Sequence, residues 1–108
     1  MTVYELSQHS QFNVLTMPEP EREINGVYIG DLLSWVMGKA QYDNVWITIM
    51  SNINVIAVAS LSDVSCVLLA EDVTLDNEVL STAKQKGINI LSTPMSAYDA
   101  AIELSGMI

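Results

Sequence analysis

Between Val45 and Ala70 the chain contains two short, nearly unbroken apolar runs on either side of a segment without a charge. The runs are Val45-Trp46-Ile47-Thr48-Ile49 and Cys66-Val67-Leu68-Leu69-Ala70, and the uncharged segment is Asn54 to Leu61. A strand that is wet on one face alternates apolar and polar residues. A strand written as a continuous apolar run is covered on both faces, as parallel sheets require. Parallel neighbours cannot be joined by a hairpin. After a turn at Met50 to Asn52, the uncharged segment therefore reads as a crossover helix, and the whole as a βαβ unit with a right-handed connection. A chain with this centre must build its remaining elements as layers on a sheet.

The flanks supply those elements. Thr2-x-x-Glu5 is a capping box and predicts a short helix from Val3 to about Gln8. Phe12 to Leu15 reads as a short strand, and Met17-Pro18-Glu19-Pro20-Glu21 as a loop, because each proline biases its predecessor away from helix. Ile24 to Ile29 reads as a strand interrupted by Gly26. Gly30-Asp31 opens a helix with Asp31 at its positive end, and Leu32, Leu33, Val36, Met37 and Ala40 share one face while Trp35 sits off it. After the second apolar strand, Glu71 to Thr74 is a loop. Thr74 is placed to cap a helix from Leu75 to Lys86 with Val79, Leu80 and Ala83 inward, and Gly87 is placed to end it in the left-handed conformation. Ile88 to Leu91 is the last strand. Ser96-x-x-Asp99 starts a final helix reaching Leu104, with Tyr98, Ala101 and Ile102 facing inward. Strands and helices alternating from residue 45 onward predict a layered α/β domain with a mostly parallel sheet, one domain over residues 1–108.

Charge excludes several functions. Four basic residues against thirteen acidic ones leave a net charge of −9. Arg22, Lys39, Lys84 and Lys86 make no cluster able to displace counterions, so neither nucleic acid nor an anionic membrane surface is expected as a partner. The uncharged run from Asn44 to Ser62 holds asparagines, hydroxyls and a turn, so it reads as core and not as a membrane span. Met1 to Glu5 lacks the basic and apolar regions of a signal peptide, which makes the cytoplasm the expected location.

Motifs for chemistry are equally sparse. There is no G-x-x-x-x-G-K-[ST] phosphate loop and no G-x-G-x-x-G. Glu71, Asp72 and Asp76 lack the spacing of a calcium loop, so no metal site is expected and the carboxylates read as a solvated loop. His9, the only histidine, has no nucleophile or carboxylate at a useful spacing and suits the end of the first helix. Cys66 opens a buried strand and reads as a small hydrophobe. These readings predict neither an enzyme nor a cofactor. What remains is a polar crevice past the strand ends, formed by Ser51, Asn52, Asn54, Thr93 and Ser96 if the strands after residue 45 are neighbours. Helix capping competes as the explanation for Ser51, Asn52 and Ser96. Tyr28, Trp35 and Met37 are candidate interface residues, since aromatic residues are enriched at interface hot spots; Trp35 covering the edge of the domain's own core is the competing account.

The second half resembles the DRTGG domain: strand, short polar turn, apolar helix, Cys66-Val67-Leu68-Leu69-Ala70, a helix ending Lys-Gly, then Gly87-Ile88-Asn89-Ile90-Leu91-Ser92-Thr93. The segment from Gly26 to Gly38, with Gly30-Asp31-Leu32-Leu33-Ser34-Trp35-Val36-Met37, resembles stand-alone members of that family. The resemblance implies a layered α/β/α fold like the N-terminal domain of HPr kinase/phosphorylase, with a mixed five-stranded sheet and helices on both faces. It also implies an accessory or regulatory role and a tendency to form homodimers, with an unidentified protein partner as a further expectation. A small-molecule sensor, for a nucleotide or metabolite, is the alternative. The name-giving motifs are replaced. Ser51-Asn52-Ile53-Asn54 stands where the family commonly has Asp-Arg, and Ala70-Glu71-Asp72 where it has Thr-Gly-Gly. Glu71 and Asp72 thus join the crevice residues, at strand C-termini where open α/β sheets bind ligands, but they would repel a phosphate.

Overall fold

The structure, a computed structural model describing residues 1–108, places the two apolar runs at the centre of a five-stranded sheet. They form β3 (Val45–Thr48) and β4 (Cys66–Leu69), paired in parallel, and every residue of both is buried. β5 (Ile90–Ser92) and β2 (Val27–Ile29) add in parallel on either side, and β1 (Asn13–Thr16) closes the sheet antiparallel to β5. The spatial order is β1-β5-β4-β3-β2.

Alternation along the strands builds two cores. Trp46, Val67, Leu69 and Ile90 face one way, and Val45, Ile47, Cys66, Leu68 and Leu91 the other. Three helices cover the first face: α2 (Leu33–Lys39), α3 (Asn54–Ser62) and α4 (Asn77–Gln85). α1 (Val3–Ser7) and α5 (Ala97–Ser105) cover the second. The result is the α/β/α sandwich with a mostly parallel mixed sheet that the apolar runs and the resemblance led one to expect. Each fully buried Val, Leu or Ile side chain contributes about 1.5–3 kcal/mol, so the sheet interior dominates stability.

Local signals end several elements as expected. The Glu5 amide donates to Thr2 Oγ1 at 3.1 Å, and the Thr2 amide donates to Glu5 Oε1 at 2.8 Å, which completes the capping box. The Asp99 amide donates to Ser96 Oγ at 3.1 Å and starts α5. Gly87 has a φ of +73° just past α4.

Other expectations need correction. Gly26, with φ +82°, turns the chain, so β2 begins only at Val27; Ile24 is buried outside the strand. Thr74 does not cap α4: the cap position is Asp76, and buried Leu75 anchors the preceding loop. In α5 the inward face is Ala97, Ala100, Ala101 and Leu104, while Tyr98 is 73% exposed and Ile102 is exposed. Three alanines at helical spacing let α5 lie close to the sheet, and the larger residues are rotated outward. In α2 only Val36 is fully buried, with Leu33 and Ala40 packing beside it, and Leu32 and Met37 are exposed. The apolar arc of this seven-residue helix is wider than the strip of core it covers. Its start has no side-chain cap from Asp31. His9 does not cap α1 through the helix dipole alone. It stacks on Phe12 with centroids 4.6 Å apart, and its Nε2 meets Glu103 Oε2 at 3.2 Å.

Candidate functional site

β3, β4 and β5 are adjacent, so the loops that follow them share one end of the sheet, as the crevice reading requires. Backbone bonds tie two of these loops together. The Glu71 amide donates to Met95 O at 2.9 Å and the Asp72 amide to Thr93 O at 3.0 Å. Glu71 and Asp72 both have positive φ, +60° and +59°, and both side chains are exposed. This left-handed pair stands where the resemblance puts two glycines. An L-residue there costs roughly 1–2 kcal/mol, so this turn carries an energetic penalty as well as two negative charges.

The remaining crevice residues divide. Thr93 is fully buried, and its hydroxyl accepts from the Met95 amide at 3.2 Å, so it shapes the loop and does not line a surface. Asn52 uses its Oδ1 to accept from the Asn54 amide at 2.9 Å, which is the capping role. Ser51, Asn52 and Asn54 are exposed at the start of α3. Ser96 is spent on α5. Beside them is a group that the sequence reading assigned differently. The Asp31 carboxylate accepts from Thr48 Oγ1 at 2.7 Å and from the Ile49 amide at 3.0 Å, which locks the C-terminal ends of β2 and β3 together. The signal for it was Thr48, a hydroxyl inside an apolar run that must find an acceptor once buried.

At the opposite end of the sheet lies a cleft of about 310 Å3, rimmed by Glu19, Arg22, Ser60, Asp63 and Lys86. Arg22 dominates it. Its Nε donates to Asp43 Oδ1 at 2.9 Å, and its Nη2 donates to Asp63 Oδ1 at 2.8 Å and to the Asp63 carbonyl at 2.6 Å. Partial burial pulls the Arg22 pKa down, but the bonds to Asp43 and Asp63 outweigh that and hold it above its ordinary value. Arg22 is therefore a structural clamp joining the 17–26 loop to the starts of β3 and β4. Cys66 is fully buried, and burial pushes its thiol up to about 12, which removes it as a nucleophile.

The exposed apolar residues are concentrated around α2. Leu32 is 62% exposed, Trp35 59% and Met37 52%, with Ile29, Ile49 and Ile53 also exposed on the neighbouring β2 end and β3–α3 loop. Lys39 lies over the Trp35 ring, 5.3 Å from its centroid, and is the only charge on α2. Tyr28 is half-buried against the core and lies under Gly30, where an added Cβ would come within 2.9 Å of the ring. Of the three proposed contact residues, Trp35 and Met37 are thus free at the surface and Tyr28 seals the core edge.

A family model described as "DRTGG domain" matches residues 5–107. Among solved structures, the chain is similar to the CBS and DRTGG domains of the regulatory region of a Clostridium perfringens pyrophosphatase, whose structure is complexed with an activator, diadenosine tetraphosphate. The TM-score is 0.65 at 16% identity, over 83% of this chain and 40% of that one. The chain thus spans less than half of that neighbour's length. No match was found among curated proteins.

Proposed function

The chain belongs to the DRTGG domain family, and from that premise we propose that it is a non-catalytic regulatory module acting through protein contacts, with a second copy of itself as the first partner. The observation that carries the reading is the uncovered apolar surface around α2. Leu32 at the start of α2 and Trp35 and Met37 on it are all more than half exposed, and tryptophan and methionine are enriched where a surface meets a partner. The charge distribution favours the same surface. In a chain of net charge −9, α2 carries one lysine and no acid, and α3 carries no charge at all. Sedimentation equilibrium from low to high micromolar concentration tests the reading. A dimer that dissociates on dilution, and that Trp35→Ser with Met37→Ser weakens, is expected. A monomer at every concentration overturns it.

A second reading, a small-molecule sensor, is favoured by the shared opening of α3, α4 and α5 onto the C-terminal end of the parallel strands, where sheets of this kind bind ligands. The pyrophosphatase region named above was solved with a dinucleotide polyphosphate. Thermal shift against that compound and against simple nucleotides separates the readings. A ligand at a hundredfold excess over its dissociation constant stabilises by about 2.7 kcal/mol. A flat response across the panel removes the sensor.

A further inference from the structure

The sheet has two edges, and they are built differently. On the β1 side there is a register break between Val14 and Thr16, and the chain leaves through Pro18 and Glu19. A bulge, a proline and a charge are the usual means of keeping an edge from recruiting another strand. The β2 side has none of them: its pairing with β3 is regular, and residues 24–30 contain neither charge nor proline.

The open groups on that edge can be assigned. The Val45 amide donates to Gly26 O at 3.0 Å and the Gly30 amide donates to Ile47 O at 3.2 Å, so the even-numbered residues of β2 bond to β3. In a parallel ladder the alternate residues turn their peptide groups the other way. Val27 and Ile29 therefore direct their N–H and C=O groups outward.

We infer that this edge pairs with β2 of a second copy, antiparallel, about a two-fold axis at Tyr28. This geometry rests on the self-association proposed above and gives it a specific seam. Val27 of one copy stands opposite Ile29 of the other, and each pair exchanges both peptide bonds, as a hydrogen-bonded antiparallel pair does. The same patch serves both copies, as an isologous interface requires. Charge permits it as well. Two chains of net charge −9 repel wherever acids meet, but in this register Asp31 falls opposite Asn25, and its carboxylate is already engaged by Thr48 and Ile49. Leu32 and Trp35, on the helix into which β2 leads, add apolar surface beside the seam.

The test uses the full chain and two substitutions, Ile29→Pro and Ile29→Lys. Proline removes an outward N–H without touching the β3 ladder, and lysine leaves the backbone intact but places charge on the edge. Circular dichroism checks that each variant is folded. The expected result is at least a tenfold weaker dimer by sedimentation equilibrium for both. In the wild type, the Val27 and Ile29 amides should exchange slowly at high concentration and fast on dilution, while those of Tyr28 and Gly30 stay protected throughout. A dimer of unchanged affinity in both variants, with the Ile29 amide exchanging fast at all concentrations, overturns the seam and leaves self-association through another surface standing. A wild type that is monomeric throughout overturns both.

Discussion

Asn89 is the residue whose loss should be felt furthest from its own position. It is buried just before β5, and its side chain makes three hydrogen bonds. Its Nδ2 donates to Glu19 O at 2.7 Å and to Ser65 O at 3.0 Å, and its Oδ1 accepts from the Glu19 amide at 2.9 Å. One side chain therefore joins the 17–22 loop, the approach to β4 and β5. Asn89→Ala removes all three bonds. At about 1 kcal/mol each, with the buried Ser65 carbonyl left unpaired, the cost is about 3–4 kcal/mol. Asn89→Asp is a sharper probe. The carboxylate can still accept from the Glu19 amide, but it then faces two carbonyl oxygens and carries an unpaired charge. Its folded-state pKa must rise above the unfolded value of about 3.9, so its deficit against wild type should be small near that pH and widen as pH increases. Urea unfolding in a Trp35→Phe background, followed by the fluorescence of buried Trp46, measures both. Asn89→Ala within about 0.5 kcal/mol of wild type, or Asn89→Asp with a deficit independent of pH, would refute the reasoning.

Three further outcomes are expected. Cys66 should resist a thiol reagent at mildly alkaline pH in the native protein and react once urea unfolds it. Its thiol titrates near 9.0 when free and at about 12 when folded, so stability should be lost as pH rises through that window and Cys66→Ala should flatten the loss. Glu71→Val should lower the urea midpoint, because a β-branched residue tolerates positive φ poorly, whereas Glu71→Gly should leave it unchanged or raised. Arg22→Met should cost about 2 kcal/mol by leaving Asp43 and Asp63 without their donor, and Arg22→Lys should restore only part of that, since lysine cannot bridge both carboxylates in one plane.

How much was legible in the sequence follows from what sets each feature. The sheet interior was readable because burial on two faces forces unbroken apolar runs, and β3, α3 and β4 lie almost where Val45, Asn54 and Cys66 place them. Caps were readable where a side chain does the work, as at Thr2 and Ser96, and misread at Asp31 and Thr74, where a neighbour's need or a buried leucine decided the local structure. The phase of α5 was not legible. Periodicity alone cannot distinguish a face made of alanines that fits closely from one made of tyrosine and isoleucine that does not. Asn89 and Arg22 were invisible for a different reason. Their partners, Ser65 in the one case and Asp43 and Asp63 in the other, lie 24, 21 and 41 residues away along the chain, so only the assembled sheet brings them together.

The same distinction separates the two ends of the domain. At the strand C-termini the backbone makes a double left-handed turn at Glu71 and Asp72, and the side chains there are acids where the resemblance puts glycines. Two exposed carboxylates at that turn make anion binding harder. On the β2–α2 flank the balance is reversed: nothing in the fold requires Leu32, Trp35 or Met37 to be apolar, because Val36, Leu33 and Ala40 already supply the core contacts of that helix. The exposure of Leu32, Trp35 and Met37 is the feature on which the proposed contact surface rests, and replacing them should leave the core of the domain intact.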